Sequence, residues 1–231
     1  MILYAIPTPL GGRPAEVLSL STIEIVQGLE DFIVENAKSA RAFLGALGMP
    51  VRELSIKVVE EEPDPLAPLR EKRPLGLLSE AGCPAIADPG ARIVEAAHGE
   101  GFRVVPLVGP SAIILALMAS GLEGQRFAFC GYLPREDSER KKRIRELEAR
   151  SRKEQETQIF IETPYRNDVL LAALLECCQA PTRLCVAADL TLQAESVKTL
   201  SIGEWRRAKP GIGRRPAVFL LQAAGQNVVR P

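Results

Sequence analysis

Short apolar runs alternate with amphipathic stretches along the first half of the chain. ILYAIP comes first, then a mixed segment to about Leu29, then DFIVE, AKSARAFLGALG, LGLLS, ARIVEAAHGEG and FRVVPLVG. Strand and helix in repeated alternation predict parallel βαβ units. Strands of such a sheet are covered on both faces, which is why LGLLS and FRVVPL read as continuous apolar runs. The helix after Ala37 sets Ala40, Phe43, Leu44 and Leu47 on one stripe, with Lys38 and Arg41 opposite and Gly48 at its end. EEEPDPLAPLREKRP, with its four prolines and dense charge, predicts a surface loop over about residues 60 to 74.

Gly109-Pro110-Ser111 introduces AIILALMASG, a helix apolar almost all round and so expected to be buried or wedged between layers. Beyond it come FAFCGYLP, a charged helix from about Ser138 to Gln155, QIFIETPYR, the amphipathic NDVLLAALLECC, RLCVAADLT, VKTLSIGEW and PAVFLLQ. Strand-like runs that follow one another without helices between them predict a mixed sheet with hairpins. The pattern therefore describes an α/β protein of two domains, 1–109 with a parallel sheet and 110–231 with a mixed one, the boundary falling near residues 107 to 112.

Composition narrows the function. The chain is 46% hydrophobic and balances 29 Lys and Arg against 29 Asp and Glu, so a globular fold is expected and only a local basic stripe could serve nucleic acid. From Arg135 to Glu156 nine basic residues meet seven acidic ones, which favours a solvated helix face over an RNA patch. MILYAIPTPLGG lacks a basic leader, and the apolar stretch 110–122 is too short to span a bilayer, so a cytoplasmic protein with no membrane partner is expected. Five cysteines without a C-x-x-C pair are expected as reduced, mostly buried thiols, and with a single histidine, His98, no metal site is expected. His98, late in its helix, suits the negative end of the helix dipole. No G-x-S-x-G, P-loop or G-x-G-x-x-G motif is present, which removes serine hydrolases and the common nucleotide sites.

Ligands of open parallel sheets bind beyond the carboxyl ends of the strands. Three loops fall there: PTPLGG, SEAGCPAIADPG and VGPSA. Their small residues and prolines let backbone groups approach a ligand, and Ser111 or the amides beside it at a helix start would receive a carboxylate, which suits an amino-acid-like cofactor. Asp88-Pro89-Gly90 reads as a plain helix start, Asp as N-cap and Pro at the first helical position. Glu80, Gly82 and Pro84 belong to a connection of about ten residues where a few suffice, which points to binding.

PTPLG, VEN-x-x-SAR, SEAGCPAIADPG, VPLVGPSAIILALMASGL, FAFCGYLPRE, IFIETPYRN and RPAVFLL, in this order over nearly the whole chain, resemble the tetrapyrrole methylase superfamily of S-adenosylmethionine-dependent methyltransferases. The resemblance is strongest to its branch of small-subunit ribosomal RNA enzymes that methylate a ribose 2′-oxygen. It implies a homodimer of two-domain subunits with S-adenosylmethionine between the domains, met by Pro9 and Leu10, by Glu80, Ala81, Gly82, Pro84, Ala85 and Ile86, and by Ser111 and Ala112. The second domain would add Thr163, Ala187, Ala188, Pro216 and Ala217. Departures stand where the RNA enzymes read A-E-D-T-R, D-A-G-T-P and E-S-P-H-R: this chain has Val34-Glu35-Asn36-Ala37-Lys38, Glu80-Ala81-Gly82-Cys83-Pro84 and Glu162-Thr163-Pro164-Tyr165-Arg166. The chain also resembles a shorter subgroup without the C-terminal extension of the RNA enzymes.

Methyl transfer from a sulfonium is an in-line displacement, so alignment is the protein's main task. For a hydroxyl acceptor, Glu35 and Tyr165 are the candidates to orient or deprotonate it, against the plainer roles of starting a helix for Glu35 and packing at the domain junction for Tyr165. Three readings stay open: an RNA O-methyltransferase, a methyltransferase for a tetrapyrrole or other small molecule, and a non-catalytic cofactor-binding protein.

Overall fold

The computed structural model describes residues 1–208 and 211–224. The last seven residues of the expected second domain, 225–231, lie outside them. The chain divides into two compact units, Met1–Ser111 and Ala112–Pro231.

The first unit is built on five parallel strands, β1 (Ile2–Ile6), β2 (Asp31–Val34), β3 (Ser55–Val58), β4 (Leu75–Leu78) and β5 (Arg103–Pro106), in the order β3-β2-β4-β1-β5. The central β2 and β4 are buried along their whole length, as their unbroken apolar runs require. β5 is different. It lies at the sheet edge, Arg103 and Pro106 are exposed, and its apolar run did not signal cover on both faces.

The mixed segment before Leu29 forms two helices, α1 (Pro14–Val17) and α2 (Leu20–Gln27), the second capped by Ser19, whose Oγ accepts from Thr22 N. α3 (Ala37–Ala46) buries Ala40, Phe43 and Leu44 as its stripe predicts. Asn36 caps it, Oδ1 accepting from Lys38 N and Ser39 N, so Glu35 does not start this helix. The proline-rich stretch 60–74 is not a simple surface loop. It holds α4 (Ala67–Arg70), and Leu66 and Leu69 pack with Leu3, Ile33, Leu75, Leu77 and Ile93. The apolar residues at 66 and 69, three apart, mark that turn more truthfully than the prolines around them.

α5 (Gly90–Gly99) carries an exposed His98 in its last turn. Its start differs from expectation: Pro89 is the N-cap and Asp88 stands one residue earlier.

The second unit begins with α6 (Ala112–Ser120). Contrary to expectation this apolar helix is not buried all round; Ala116, Leu117 and Ser120 are covered, while Ile114 and Met118 are 44% and 76% exposed. Its sheet combines β6 (Phe127–Tyr132), β7 (Thr157–Ile161), β8 (Arg183–Ala188), β9 (Ser196–Ser201) and β10 (Ala217–Gln222) in the order β6-β7-β10-β8-β9. Only β6 and β7 are parallel; the other neighbours are antiparallel, so the mixed sheet with hairpins is what the chain forms. VKTLSIGEW is strand only to Ser201 and then turns into α9 (Ile202–Ala208), which buries Trp205.

α7 (Asp137–Glu154) and α8 (Asn167–Cys177) cover this sheet, with Ile144, Leu147, Leu170, Leu171 and Leu174 packed over Phe160 and Phe219. α7 is less solvated than its charge suggests. Arg140 and Glu148 are buried, and Glu148 accepts from Gln179 N and Thr182 Oγ1, tying the helix to the chain before β8. Of the cysteines only Cys178 and Cys185 are buried; Cys83, Cys130 and Cys177 are half-buried, all five as free thiols. Burial pushes the Cys178 thiol well above its ordinary value, so it behaves as a small apolar group. Among the described residues no helix is long and apolar enough to cross a membrane.

Candidate functional site

The strand order sets β2, β4, β1 and β5 side by side, so the loops leaving their carboxyl ends are neighbours. These are the loops that carry Glu35, the stretch from Ser79, the stretch from Pro7, and the stretch from Leu107. The structure knits them together. Thr8 and Gly82 form an antiparallel bridge, Thr8 N donating to Gly82 O at 2.9 Å and Gly82 N to Thr8 O at 3.0 Å. Ser79 Oγ donates to Gly82 O from within its own loop, and Cys83 Sγ donates to Pro110 O at 3.4 Å. Glu80 N donates to Glu35 Oε2 at 2.9 Å.

Two glycines make these approaches feasible. Gly82 has φ +80°, and a Cβ there would lie 3.2 Å from the Leu10 side chain. A Cβ on Gly109 would fall 2.3 Å from Pro7 Cγ, so the loops after β1 and β5 touch only because residue 109 has none.

The long loop is also strained. Ala85 and Ala87 both have φ +66°, a region that side-chain-bearing residues other than Asn and Asp seldom adopt. Asp88 sustains it, Oδ1 accepting from Ala85 N at 3.0 Å and from Gly90 N at 2.7 Å. Asp88 therefore does more than start a helix. It ties the helix's first amide to the strained turn, and its other carboxylate oxygen is buried without a hydrogen-bond partner among the described residues. Glu80, Ala81 and Ile86 are exposed, while Gly82 and Pro84 are buried beneath them. Pro9 and Leu10 are half-buried beside the bridge.

Strain held by surrounding bonds and an orphaned buried oxygen are features that accompany ligand sites. A small zwitterion such as S-adenosylmethionine, approached by backbone groups, fits this braced turn of small residues. The carboxyl of Glu35 is pushed above its ordinary value of 4.5, chiefly by desolvation, against the lowering effect of the Glu80 amide.

In the second unit the expected residues also meet at one end of the sheet, where its three central strands stop or start. Ala217 pairs with Ala188, and Val218 with Ala187 on one side and Ile161 on the other. The turn carrying Thr163, the end of β8 and the start of β10 thus lie side by side. Ala187, Ala188 and Ala217 are buried, so they offer backbone, while Thr163 and Pro216 are exposed. Glu162, buried, accepts from Thr163 N at 2.7 Å and faces Arg166 at 3.4 Å. Asp189 N donates to Pro216 O, and Arg215 binds Asp189 at the same end of the sheet.

Tyr165 is 75% exposed in the short turn Pro164–Arg166, and the Arg214 guanidinium stands 4.9 Å from its ring centre. Ser111 and Ala112, half-buried, lie where one unit ends and the other begins. Thr8 and Ser79 carry no sequence signal beyond their place next to a strand end, which buried polar residues at a loop root share; Asp88 reads only as a cap and Asp168 only as a residue of an amphipathic helix.

Among the described residues no set of three His, Cys, Asp or Glu side chains gathers as a metal site would.

The family model described as Tetrapyrrole (Corrin/Porphyrin) Methylases matches residues 31–205. A protein of Mesorhizobium japonicum named ribosomal RNA small subunit methyltransferase I is 32% identical over 85% of this chain and 66% of its own length. One of the same name from Escherichia coli is 31% identical over 97% of this chain and 78% of its own. A third, from Bacillus subtilis, is 33% identical over 76% of this chain and 59% of its own. The chain thus spans about two thirds of the length of several relatives it matches. A crystal structure of the methyltransferase CobJ superposes with a TM-score of 0.65 over the whole chain and 97% of its own, at 17% identity, a likeness of fold.

Proposed function

Because this chain belongs to the tetrapyrrole methylase family, whose methyl donor is S-adenosylmethionine, we propose that it methylates the small-subunit ribosomal RNA at a ribose 2′-oxygen. The observation that carries the cofactor half of this reading is the Thr8–Gly82 bridge, which joins the loops after β1 and β4 into one braced cradle. The RNA half is supported by the names of relatives that are 31% and 32% identical to this chain over the aligned residues.

The donor supplies an electrophilic methyl on a cationic sulfur. The chain's residues have two tasks. Pro9, Leu10 and the stretch Glu80 to Ile86 hold the donor through backbone groups, with Gly82 keeping the cradle's floor open; Ser111 and Ala112, and Thr163, Ala187, Ala188, Pro216 and Ala217 of the second unit, are assigned to the same donor by family resemblance. Holding the reactants in line is worth roughly 7 to 11 kcal/mol of barrier in favourable systems, so alignment is the larger share of the catalysis. Glu35, its carboxyl held above the ordinary value by desolvation, is the side chain proposed to orient or deprotonate the acceptor hydroxyl.

We take the working form to be a homodimer in the cytoplasm, as the family resemblance implies, and light scattering at monomer mass would refute it. A small-molecule acceptor is the second reading, favoured by the formal charge of zero.

Calorimetry tests the cofactor half directly. S-adenosylmethionine and S-adenosylhomocysteine should each bind once per chain; heats of dilution alone for both would sink the reading.

A further inference from the structure

The turn after β7 and the segment before β10 carry a feature that holding a methyl donor does not explain. Residues 211–216, GIGRRP, form no strand or helix, yet their backbone is anchored at several points. Asp168 Oδ1 accepts from Ile212 N at 2.7 Å, and both its oxygens lie 3.3 Å from Gly213 N. Asn167, fully buried at the start of α8, donates through Nδ2 to Gly213 O at 3.2 Å and to Arg215 O at 2.7 Å. Arg215 is consumed by the structure, binding Asp189 and Ala194 O.

Arg214 is the charged side chain this anchoring leaves at the surface. It is exposed, joins no ion pair among the described residues, and lies over the equally exposed ring of Tyr165. A buried amide and a carboxylate thus fix the chain on both sides of an arginine whose contact is an aromatic face.

An exposed, pre-ordered pair of flat groups, one aromatic and one cationic, matches the chemistry by which single-stranded RNA is held: bases stack on aromatic rings and guanidinium planes, and the cation answers the phosphates. Pre-ordering lowers the entropy lost on binding, which is what the Asn167 and Asp168 bonds provide. The pair also sits close to the end of the sheet marked by Thr163, Ala188 and Ala217, since Tyr165 follows Thr163 by two residues and Arg214 precedes Pro216 by two.

We propose that Tyr165 and Arg214 form a stacking platform for an unpaired base of the RNA acceptor. Tyr165 on this account contributes its ring and not a proton-accepting hydroxyl. The inference rests on the RNA reading above.

The test uses the full chain, a fluorescein-labelled single-stranded oligoribonucleotide of mixed sequence, and small ribosomal subunits lacking the modification. Tyr165→Ala and Arg214→Ala should each weaken oligonucleotide binding and raise KM for the subunits by roughly 5- to 150-fold, the span that loss of one stacked base gives. S-adenosylmethionine affinity, measured on the same preparations, should be unchanged, which shows the variants are folded. Tyr165→Phe, keeping the ring, should restore RNA affinity, with the pH profile of kcat unmoved. Unchanged RNA affinity in Tyr165→Ala overturns the platform. A Tyr165→Phe variant as defective as Tyr165→Ala, with a shifted pH profile, overturns it in favour of a hydroxyl that handles a proton. Failure of the unaltered protein to bind either RNA refutes the RNA reading itself, and is told apart because it needs no variant.

Discussion

At the scale of single residues, the cradle depends on backbone conformations that few side chains tolerate. Gly82 at φ +80° donates and accepts in the bridge to Thr8, and Leu10 lies close behind it. Gly82→Ala should cost about 1 to 2 kcal/mol from the left-handed backbone alone. The account expects a lowered melting temperature and weaker S-adenosylmethionine binding together, read by thermal denaturation and calorimetry; stability lost with affinity intact would separate the bridge from the cofactor. That this loop is more than a simple connection was legible, because it is longer than a strand-to-helix turn needs and rich in Gly and Pro. Asp88 was legible only in part. Its type and place announce a cap, but that its carboxylate also holds the Ala85 amide, and so the strain at Ala85 and Ala87, depends on a turn geometry no spacing encodes. Glu35 likewise stands beside a helix start in sequence, and only the structure shows that Asn36 caps the helix while Glu35 accepts from the Glu80 amide.

Elements with strong periodicity or unbroken apolar runs followed their patterns: β2, β4, α3 and α8 are where composition places them. Weak or contrary signals failed for identifiable reasons. β3 is a short edge strand with a half-buried pattern, too brief to alternate clearly, and α4 hides among prolines that tolerate a helix's first turn. α6 carries an apolar pattern on all sides, yet Met118 remains exposed, because pattern reports what a helix would accept and not what covers it. α7 shows the reverse, with Arg140 and Glu148 buried in a helix whose composition is almost all charge.

The start of α7 makes an element-scale prediction. Glu136 caps it, accepting from Ser138 Oγ and Glu139 N, and those bonds pull its carboxyl from the ordinary 4.5 down to about 2. A carboxyl lowered in the folded state contributes stability above its unfolded value and loses it as pH falls toward the folded one. Acid unfolding should therefore show a component between about pH 4.5 and 2 that Glu136→Gln removes, followed by circular dichroism; a Gln variant with the same acid profile would rule out the cap as its source.

For the whole molecule, two sheets of different character, one wholly parallel and one mostly antiparallel, each carry expected residues at one end of their central strands. The α/β class and the sheet types were legible from the order of strands and helices. The family was legible from motifs spread along the chain, and its model matches residues 31–205. Composition was silent on the arginine held over an aromatic ring, on which the proposed RNA contact rests, since a net charge of zero does not report where single charges stand. The most direct measurement is transfer of a labelled methyl group from S-adenosylmethionine to small ribosomal subunits taken from cells lacking the gene. The account predicts label in the small-subunit RNA, recovered after digestion as a 2′-O-methylated nucleoside. Label absent from the RNA, or carried on a small molecule instead, would contradict it.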